Sequence, residues 1–494
     1  MIYSCLMAEN LKEKTVTGVL WSAVQKFGST ALSFISTIVL ARLLTPEDYG
    51  CIGMLSIFLA VASTCIDGGF GSALIQKQRP TREDYSTIFY WNLGLALVLY
   101  IILFFSAPAI ARFYNLPLLC SVLRVQGVVL IINAIRIVQT NQLRKQLKFK
   151  KIASVDLSVA ALSLAVTIYL AWKGFGVWAL VAQQLMVSVL TTSIYWITGH
   201  WWPLLTFSKQ SFKELFGFGG FILLSNLINT FCNNIQGLLI GKFYNPATMG
   251  YYSKAKSTEE LSSTFISSVI DQVSYPVLAE AQNDKEYLIR MLRKFIGVLA
   301  YVTFPIMLLL ILLAKPLFIL LYSERWLSSV PYFQILCLAG MAICLQGINY
   351  YAIAAVGKSG KLFLGTLVKR GVGLLLIIGG LLLAGMKGLL GGMVLSAYFI
   401  YLVNAFLVSK HVGYSLAQQF KDLLPMILTS IVSFVLAFIV GYVLKPFANM
   451  YITGVAQLIV FAIVYLVMSK LMRLEEFDNS LEILYIFTNK LKKK

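Results

Sequence analysis

Long apolar segments, each able to form a membrane-crossing helix, follow one another from about Val16 to Leu471 with short connections between them. An α-helix needs about 20 mostly apolar residues to cross the hydrocarbon core of a bilayer. Every backbone polar group in lipid must find a partner within the protein, so such a run of segments dictates a bundle of helices. Only 13% of the residues are charged, against about 25% in an ordinary soluble domain. The sequence therefore predicts an all-α, polytopic membrane protein and excludes a soluble globular one.

Hydropathy, with Gly, Pro and charged clusters as breaks, divides the chain into about fourteen predicted spans. They lie approximately at residues 16–43, 47–71, 85–107, 117–142, 151–172, 176–198, 214–241, 247–277, 289–314, 328–356, 361–384, 387–409, 420–443 and 450–471. Of the 41 basic residues, 26 lie at one set of span ends and eight at the opposite set. Because cytoplasmic loops collect Lys and Arg, both termini are predicted to face the cytoplasm. The formal charge of +20 then reflects topology, and nucleic acid is not expected as a partner.

An internal repeat appears at an offset of 200 residues. Pro46 and Gly50 of LLTPEDYG align with Pro246 and Gly250 of FYNPATMG. The polar residues Ser29, Ser33 and Ser36 align in the same register with Asn229, Asn233 and Gln236. The alternative is that P-x-x-x-G marks any tight extracellular turn.

Six spans separate the two copies, so both enter the membrane with the same orientation, as in transporters built from parallel repeats. The repeat predicts a six-helix lobe at 1–200, a second six-helix lobe at 201–410, and a central cavity between them. Residues 411–494 are predicted to add two helices and a basic cytoplasmic tail.

Polar residues recur at helical spacing along several spans and form faces that cannot lie against lipid tails. Examples are Asn133, Arg136 and Thr140 in the fourth span and Asp156, Ser163 and Thr167 in the fifth. The simpler interpretation is that the uncharged members tie helices together, at about 0.6 kcal/mol each.

Charged residues inside the spans are more informative, because an Arg or Lys at the centre of a lipid-facing helix costs about 2.5–3.5 kcal/mol. The seven cations are Lys26, Arg124, Arg136, Lys254, Lys256, Lys369 and Arg370, and the five acids are Asp67, Asp156, Glu259, Glu260 and Asp271. We expect Lys256 to pair with Glu260 one turn away and Arg124 to reach the headgroups. The surplus of cations predicts a water-filled, basic cavity for an anionic substrate, most naturally a phosphate or diphosphate.

Two sets of candidate site residues follow. The predicted substrate-binding residues are Lys26, Arg136, Lys254, Lys369 and Arg370. The residues predicted for ion coupling or charge pairing are Asp67, Asp156, Glu260 and Asp271. Pairing of the cations with these acids across helices is the structural alternative.

Other classes of function find little support. The seven cysteines include no C-x-x-C pair and are interpreted as small buried hydrophobic residues, so no metal site or disulfide framework is predicted. GKSGK at 357–361 lacks the spacing of a phosphate-binding loop. No ATPase domain, cofactor or catalytic constellation is expected, so the protein is predicted not to be an enzyme. Transport would draw on a H⁺ or Na⁺ gradient or on the membrane potential.

Three motifs connect the chain to a known family: LARLLTPEDYG at 40–50, DGGFGSALIQ at 67–76 and APAIARFYNLP at 107–117. With them the sequence resembles the polysaccharide flippases of the multidrug/oligosaccharidyl-lipid/polysaccharide exporter superfamily, most closely the colanic-acid and teichuronic-acid exporter type. The resemblance implies two six-helix lobes around a V-shaped cavity and transfer of an undecaprenyl-diphosphate-linked oligosaccharide to the outer leaflet of the bacterial inner membrane. Lys26 and Asp67 match positions where relatives carry charged lumen residues; the match is looser for Arg136, Lys369 and Arg370.

Alternatives to the flippase are an ion-coupled drug antiporter of the same superfamily and a membrane-embedded glycan enzyme or scaffold. The cationic surplus argues against transport of organic cations. The expected partners are the lipid-linked oligosaccharide and membrane lipids. Whether a glycan polymerase or glycosyltransferases also bind is left open by the sequence.

Overall fold

The computed structural model describes residues 2–477 with the exception of 79, 200 and 358. Side chains within this range are described except those of residues 2–16, 19, 72, 75, 218, 221, 268–273, 283 and 359–364. The helices of the described part are α1 (Ile2–Leu43), α2 (Pro46–Asp67), α3 (Phe70–Gln76), α4 (Arg82–Phe113), α5 (Leu118–Lys145), α6 (Phe149–Trp172), α7 (Val177–Thr198), α8 (Lys209–Phe243), α9 (Pro246–Glu280), α10 (Lys285–Tyr322), α11 (Val330–Ala355), α12 (Ser359–His411), α13 (Leu416–Leu444) and α14 (Met450–Leu471). The described residues contain no strand, and the all-α prediction is confirmed.

Local sequence signals explain where several helices begin. At the start of α2, Thr45 accepts from the backbone N–H of Asp48 while the Asp48 side chain accepts from the N–H of Thr45, and Pro46 fills the first helical position. Thr81 and Asp84 form the same reciprocal cap at the start of α4. These caps satisfy backbone N–H groups that have no partner within the helix.

By length and composition, 11 helices in the described part of the chain qualify as membrane spans, or 12 if the two straight parts of α8 are counted together. One of them, Gly365–His411 in α12, has 47 residues but folds back on itself, because the Lys369 ammonium donates to the Asn404 side chain at 2.8 Å and Gly380 lies against the carbonyl of Gly388. It is broken at Ala384 and Gly385, which have non-helical dihedral angles. The break lies between the predicted spans 361–384 and 387–409. The protein is therefore a multi-pass membrane protein, and its count of fourteen crossings stays a prediction.

The second predicted span, 47–71, runs too far. Helix α2 ends at Asp67 because Gly68 and Gly69 both adopt left-handed backbone angles, with φ of 57° and 70°. Such angles are favourable for glycine, which has no Cβ. The chain then turns into α3, a helix of seven residues, too short to cross a bilayer.

The chain divides into two compact units, Met1–Ser253 and Lys254–Lys494. In the N-terminal unit, α1 packs on α6, α2 on α8, and α5 on both α4 and α7. The connection from α7 to α8 is fastened to α4, because Ser86 and Thr87 accept from the N–H groups of Leu204 and Ser208 at 2.8 and 3.0 Å. Aromatic side chains around Phe89 and Trp201 cover this junction.

The C-terminal unit is built around α10 and α11. Helix α11 packs on α10 and α12, while the pair α13 and α14 packs on α10. Arg293 of α10 holds Asp422 of α13 through two hydrogen bonds of 2.8 Å, and the Tyr414 hydroxyl donates to the same carboxylate at 2.6 Å. The predicted boundaries near 200 and 410 remain predictions.

The two repeat motifs contact each other within the N-terminal unit. Gly50 lies against the carbonyl of Pro246, and Gly250 lies against the carbonyl of Pro46. A Cβ on Gly50 would stand 1.9 Å from the Pro246 oxygen, and one on Gly250 would stand 1.8 Å from the Pro46 oxygen. Equivalent residues thus make the same contact in both directions, and each contact requires glycine. The alignment at an offset of 200 residues is therefore structurally meaningful.

Candidate functional site

A polar cavity of about 530 Å³ lies inside the N-terminal unit, lined by α2, α5, α6, α7 and α8. Its lining is mainly polar, which is unusual for a space between membrane helices and marks such a space as functional. The polar lining residues are Ser63, Thr64, Asp67, Asn133, Arg136, Thr140, Asn141, Arg144, Asp156, Tyr195, Asn226, Asn229, Thr230 and Asn233.

Helix α5 supplies one wall. The predicted polar face of Asn133, Arg136 and Thr140 does line the cavity, and Arg144 extends it by one turn. Arg144 lies just beyond the predicted span 117–142, although its distance of four residues from Thr140 continues the same face. Asn133 is held in place by Ser188 of α7, whose hydroxyl donates to the amide oxygen at 2.7 Å.

Asp156 of α6 is fixed by two other helices. Gln25 of α1 donates to one carboxylate oxygen at 2.6 Å, and the Tyr195 hydroxyl of α7 donates to the other at 3.2 Å. The remaining polar residues of the predicted α6 face, Ser163 and Thr167, instead bond to carbonyls of their own helix. Of that face, Asp156 alone belongs to the described lining of the cavity.

The opposite wall comes from α2 and α8. The hydroxyls of Thr64 and Thr230 share a hydrogen bond of 3.0 Å and connect the two helices. Asn226, Asn229 and Asn233 line the cavity from α8 at spacings of three and four residues. Asn229 and Asn233 belong to the predicted repeat seam, whereas the contribution of Asn226 was missed.

The charges of the cavity balance. Its lining contains two guanidinium groups, Arg136 and Arg144, and two carboxylates, Asp67 and Asp156. None of the four is within 4.0 Å of an oppositely charged partner among the described side chains. The expected cationic surplus is therefore absent from the described lining of this cavity. The arrangement keeps four separate charges available to a ligand.

Helix α3 lies beside one end of the cavity. Gly71 of α3 packs against the amide of Asn141, and the ammonium of Lys145 donates to the carbonyls of Leu74 and Lys77. Lys77 itself bridges α4 and α8, with its ammonium 3.0 Å from Asp84 and 3.1 Å from Glu214. Burial lowers the pKa of Lys77, but its hydrogen bonds to these two carboxylates outweigh burial and raise the pKa overall. Lys77 is therefore charged, and it anchors the end of α3.

Lys254 and Lys369, both predicted to bind substrate, are buried in the C-terminal unit. Lys254 is 1% exposed, and its ammonium lies about 5 Å from the ring centres of Tyr322 (5.1 Å) and Trp326 (5.0 Å). Lys369 is 5% exposed and donates to the Asn404 side chain at 2.8 Å. Their immediate contacts in the structure are protein side chains.

Lys26, Arg370 and Glu260 lie outside the described lining of the cavity. The Lys26 side chain is exposed, and Arg370 is half-buried. Glu260 is exposed and pairs with Lys256 at 3.7 Å, as expected from their spacing. The side chain of Asp271 lies outside the described residues.

Arg124 of α5, expected to reach the headgroups, contacts α4 in the structure. Its guanidinium lies 4.3 Å from the ring centre of Phe104 on α4 and donates to the Phe104 carbonyl at 3.3 Å. It thus connects α5 to α4, because a half-buried guanidinium is stabilised by a hydrogen bond to a nearby carbonyl and by contact with an aromatic face.

Comparison with known proteins decides the family. Residues 39–331, more than half of the chain, match the model of a family described as polysaccharide biosynthesis protein. The chain belongs to this family. The resemblance to polysaccharide flippases of the multidrug/oligosaccharidyl-lipid/polysaccharide exporter superfamily is thereby confirmed.

Two bacterial relatives match most of the chain. The teichuronic acid biosynthesis protein TuaB of Bacillus subtilis is 25% identical over 72% of this chain and 74% of its own length. The lipopolysaccharide biosynthesis protein WzxC of Escherichia coli is 24% identical over 88% of this chain and 89% of its own length.

Solved structures share the fold. The lipid II flippase MurJ, in an inward closed conformation, superimposes with a TM-score of 0.75 at 15% identity, covering 92% of this chain and 98% of that chain. An inward-facing multidrug resistance MATE family transporter of the MOP superfamily gives a TM-score of 0.62 at 15% identity, covering 80% and 98% of the two chains. At these identities the likeness establishes the fold alone.

Proposed function

We propose that this protein is a flippase that turns a lipid-linked oligosaccharide from the cytoplasmic to the outer leaflet of a bacterial inner membrane. The observation that carries the proposal is the polar cavity of about 530 Å³ lined by membrane helices. A polar headgroup cannot cross the hydrocarbon core without losing its hydrogen bonds to water. A cavity of this kind replaces those bonds, while the lipid tail stays in the bilayer. Relatives named for teichuronic acid and lipopolysaccharide biosynthesis support a glycan substrate.

The carrier we propose is undecaprenyl diphosphate. Lys26 and Arg370, which lie outside the described cavity lining, are proposed contacts for the diphosphate, and Arg136 is a proposed contact for the headgroup inside the cavity. Lys254 and Lys369 complete the proposed cationic set. In a low-dielectric site, charge-assisted hydrogen bonds to phosphate are among the strongest available to a protein.

Transport is proposed to proceed by alternating access, driven by a H⁺ or Na⁺ gradient. Asp67, Asp156, Glu260 and Asp271 are the candidates for the coupling site. Within the cavity, Asp67 and Asp156 are the carboxylates that an entering ion would meet. Both termini are proposed to face the cytoplasm, and no catalysis is proposed. A glycan polymerase or glycosyltransferases on either side of the membrane would be the functional partners.

A drug antiporter is the second candidate, since multidrug transporters share the fold. Two carboxylates in the cavity could bind an organic cation. The balanced charges of the cavity therefore favour the antiporter more than the cationic surplus counted from the sequence did. Glycan export and drug efflux should therefore be measured on the same variants.

Replacing Arg136 by Ala tests the proposal, with Arg124→Ala as a control on the same helix. Arg136 lines the cavity, whereas Arg124 binds α4 outside it. Loss of one charge-assisted hydrogen bond should weaken substrate binding roughly 10- to 150-fold. We expect surface polysaccharide to fall in cells with Arg136→Ala while lipid-linked repeat units accumulate in the cytoplasmic leaflet.

Arg124→Ala should export normally once its level in the membrane is matched. Normal export by the Arg136→Ala variant at wild-type protein levels would contradict a role of this cavity. Resistance to organic cations that depends on the protein, without any change in polysaccharide, would instead establish the antiporter.

A further inference from the structure

Asparagine is the most frequent residue in the polar lining of the cavity in the N-terminal unit. Asn133, Asn141, Asn226, Asn229 and Asn233 come from α5 and α8. Each amide offers both hydrogen-bond donors and acceptors, and a sugar hydroxyl needs both. A diphosphate ionised at neutral pH only accepts hydrogen bonds. It could therefore bond to the amide N–H donors but not to the amide oxygens. The lining therefore matches hydroxyl groups better than phosphate oxygens.

The charges of the cavity lead to the same ligand. A diphosphate placed here would be attracted by Arg136 and Arg144 but would also face the carboxylates of Asp67 and Asp156. Like charges in a low-dielectric space repel strongly. Sugar hydroxyls, by contrast, can donate to carboxylates and accept from guanidinium groups at the same time. Two positive and two negative charges, with no net excess, suit a neutral, multiply hydroxylated ligand.

Apolar side chains are interleaved with the polar ones. On α5, Leu130, Ala134 and Ile137 line the cavity beside Asn133 and Arg136. A sugar ring has apolar C–H faces and a polar rim, so it can contact both kinds of side chain in one orientation. The volume of about 530 Å³ falls within the range of roughly 300–1,000 Å³ that is usual for small-molecule sites.

We propose that this cavity is a glycosyl subsite, which binds a hydroxyl-rich sugar of the lipid-linked substrate and leaves the diphosphate outside. The proposal rests on the proposed flippase function and specifies which part of the headgroup this cavity takes. Asn226 and Asn233 of α8 act as sugar contacts, together with Asp67 and Asp156 as acceptors.

Binding of defined ligands to the purified full-length protein tests the subsite. The probes are undecaprenyl diphosphate alone and the same carrier bearing glucose, galactose or N-acetylglucosamine, titrated in detergent by native mass spectrometry. The wild-type protein should bind at least one glycosylated carrier more tightly than the bare diphosphate. Asn233→Leu should reduce affinity for that glycosylated carrier by about 2- to 10-fold, the value of one hydrogen bond, and leave bare undecaprenyl diphosphate unaffected.

Asn234→Leu is the matched control, because Asn234 is the next residue on α8, lies outside the cavity lining and donates to the Thr230 carbonyl at 2.8 Å. It should leave both affinities unchanged. Asn226→Leu, at an exposed position of the same wall, is a second test if Asn233→Leu does not fold.

The possible outcomes separate the two proposals. If a variant loses affinity for bare and glycosylated carriers equally, the cavity binds the diphosphate, so the glycosyl subsite is overturned while the flippase stands. Equal binding of all four probes by the wild-type protein would also overturn the glycosyl subsite alone. If the wild-type protein binds none of them, the proposed function itself fails.

Discussion

Lys77 pairs with two carboxylates that differ in burial, and burial determines how much each ion pair stabilises the protein. Lys77 contacts Asp84, whose side chain is 1% exposed, and Glu214, whose side chain is 60% exposed. A hydrogen bond to a charged group is worth about 1.5–3 kcal/mol when desolvated, whereas exposed ion pairs contribute about 0–1 kcal/mol. The two contacts are nearly equal in length and should differ in strength.

We therefore expect Asp84→Asn to lower the unfolding temperature of the purified protein in detergent, measured by tryptophan fluorescence, and Glu214→Gln to leave it nearly unchanged. Both changes remove one charge and keep the side-chain shape, and an Asn at 84 can still accept from the N–H of Thr81 in the cap of α4. Equal losses for the two variants would show that the exposed contact with α8 matters as much as the buried contact between the end of α3 and α4.

At the level of single residues, spacing along one helix was the most reliable signal. Asn133, Arg136 and Thr140 were predicted from their spacing, and the same rule would have found Arg144 had the helix been extended by one turn. Contacts between distant segments could not be predicted in this way. The burial of Lys254 depends on Tyr322 and Trp326, which nothing in the sequence places beside it.

Among the elements, α2 and α9 are held together by their first turns. Since a Cβ at Gly50 or Gly250 would stand within 2 Å of a backbone carbonyl oxygen, at 1.9 and 1.8 Å, either residue changed to Ala must push these helices apart. Gly94→Ala on α4 is the control, because the added methyl group would have no heavy atom within 4 Å apart from the neighbouring backbone of its own helix. That change should be neutral or should stabilise the helix by about 0.5–1 kcal/mol.

The yield of monodisperse protein on fluorescence-detected size exclusion, and its unfolding temperature, measure the effect. We expect both to fall for Gly50→Ala and for Gly250→Ala by similar amounts, because the contact is reciprocal. A large loss at one glycine and none at the other would contradict the equivalence of the two motifs.

Helix existence could be predicted from hydropathy, but helix ends often could not. The sequence placed 67–71 inside the second span because Phe70 and the glycines are not polar. The positive φ angles of Gly68 and Gly69 end α2 earlier and create α3. The break in α12 was predictable because Gly385 lies where two apolar segments meet.

For the molecule as a whole, hydropathy and motifs predicted the fold and the family, but a count of charges inside the spans could not predict which charges line the N-terminal cavity. Counting every charged residue inside a span gave a surplus of cations, but the count could not show which of them share one space. The structure buries Lys254 and Lys369 among side chains of the C-terminal unit and places two arginines with two aspartates in the N-terminal cavity. A sum over the chain is therefore a poor measure of the charge of one site.

Membrane topology gives the last prediction. In a cysteine-free background, single cysteines at Lys173 and Lys387 should react with a membrane-impermeant thiol reagent added outside intact cells, and one at Lys148 should react only after permeabilisation. All three positions are exposed in the structure, so accessibility is set by the membrane rather than by burial. The reverse pattern would place the termini outside. Lys387 also tests the turn in α12. It lies just after the break at Gly385, where the helix folds back on itself, so it should be at the outer surface if both halves of α12 cross the membrane. Absence of external labelling there would contradict two crossings.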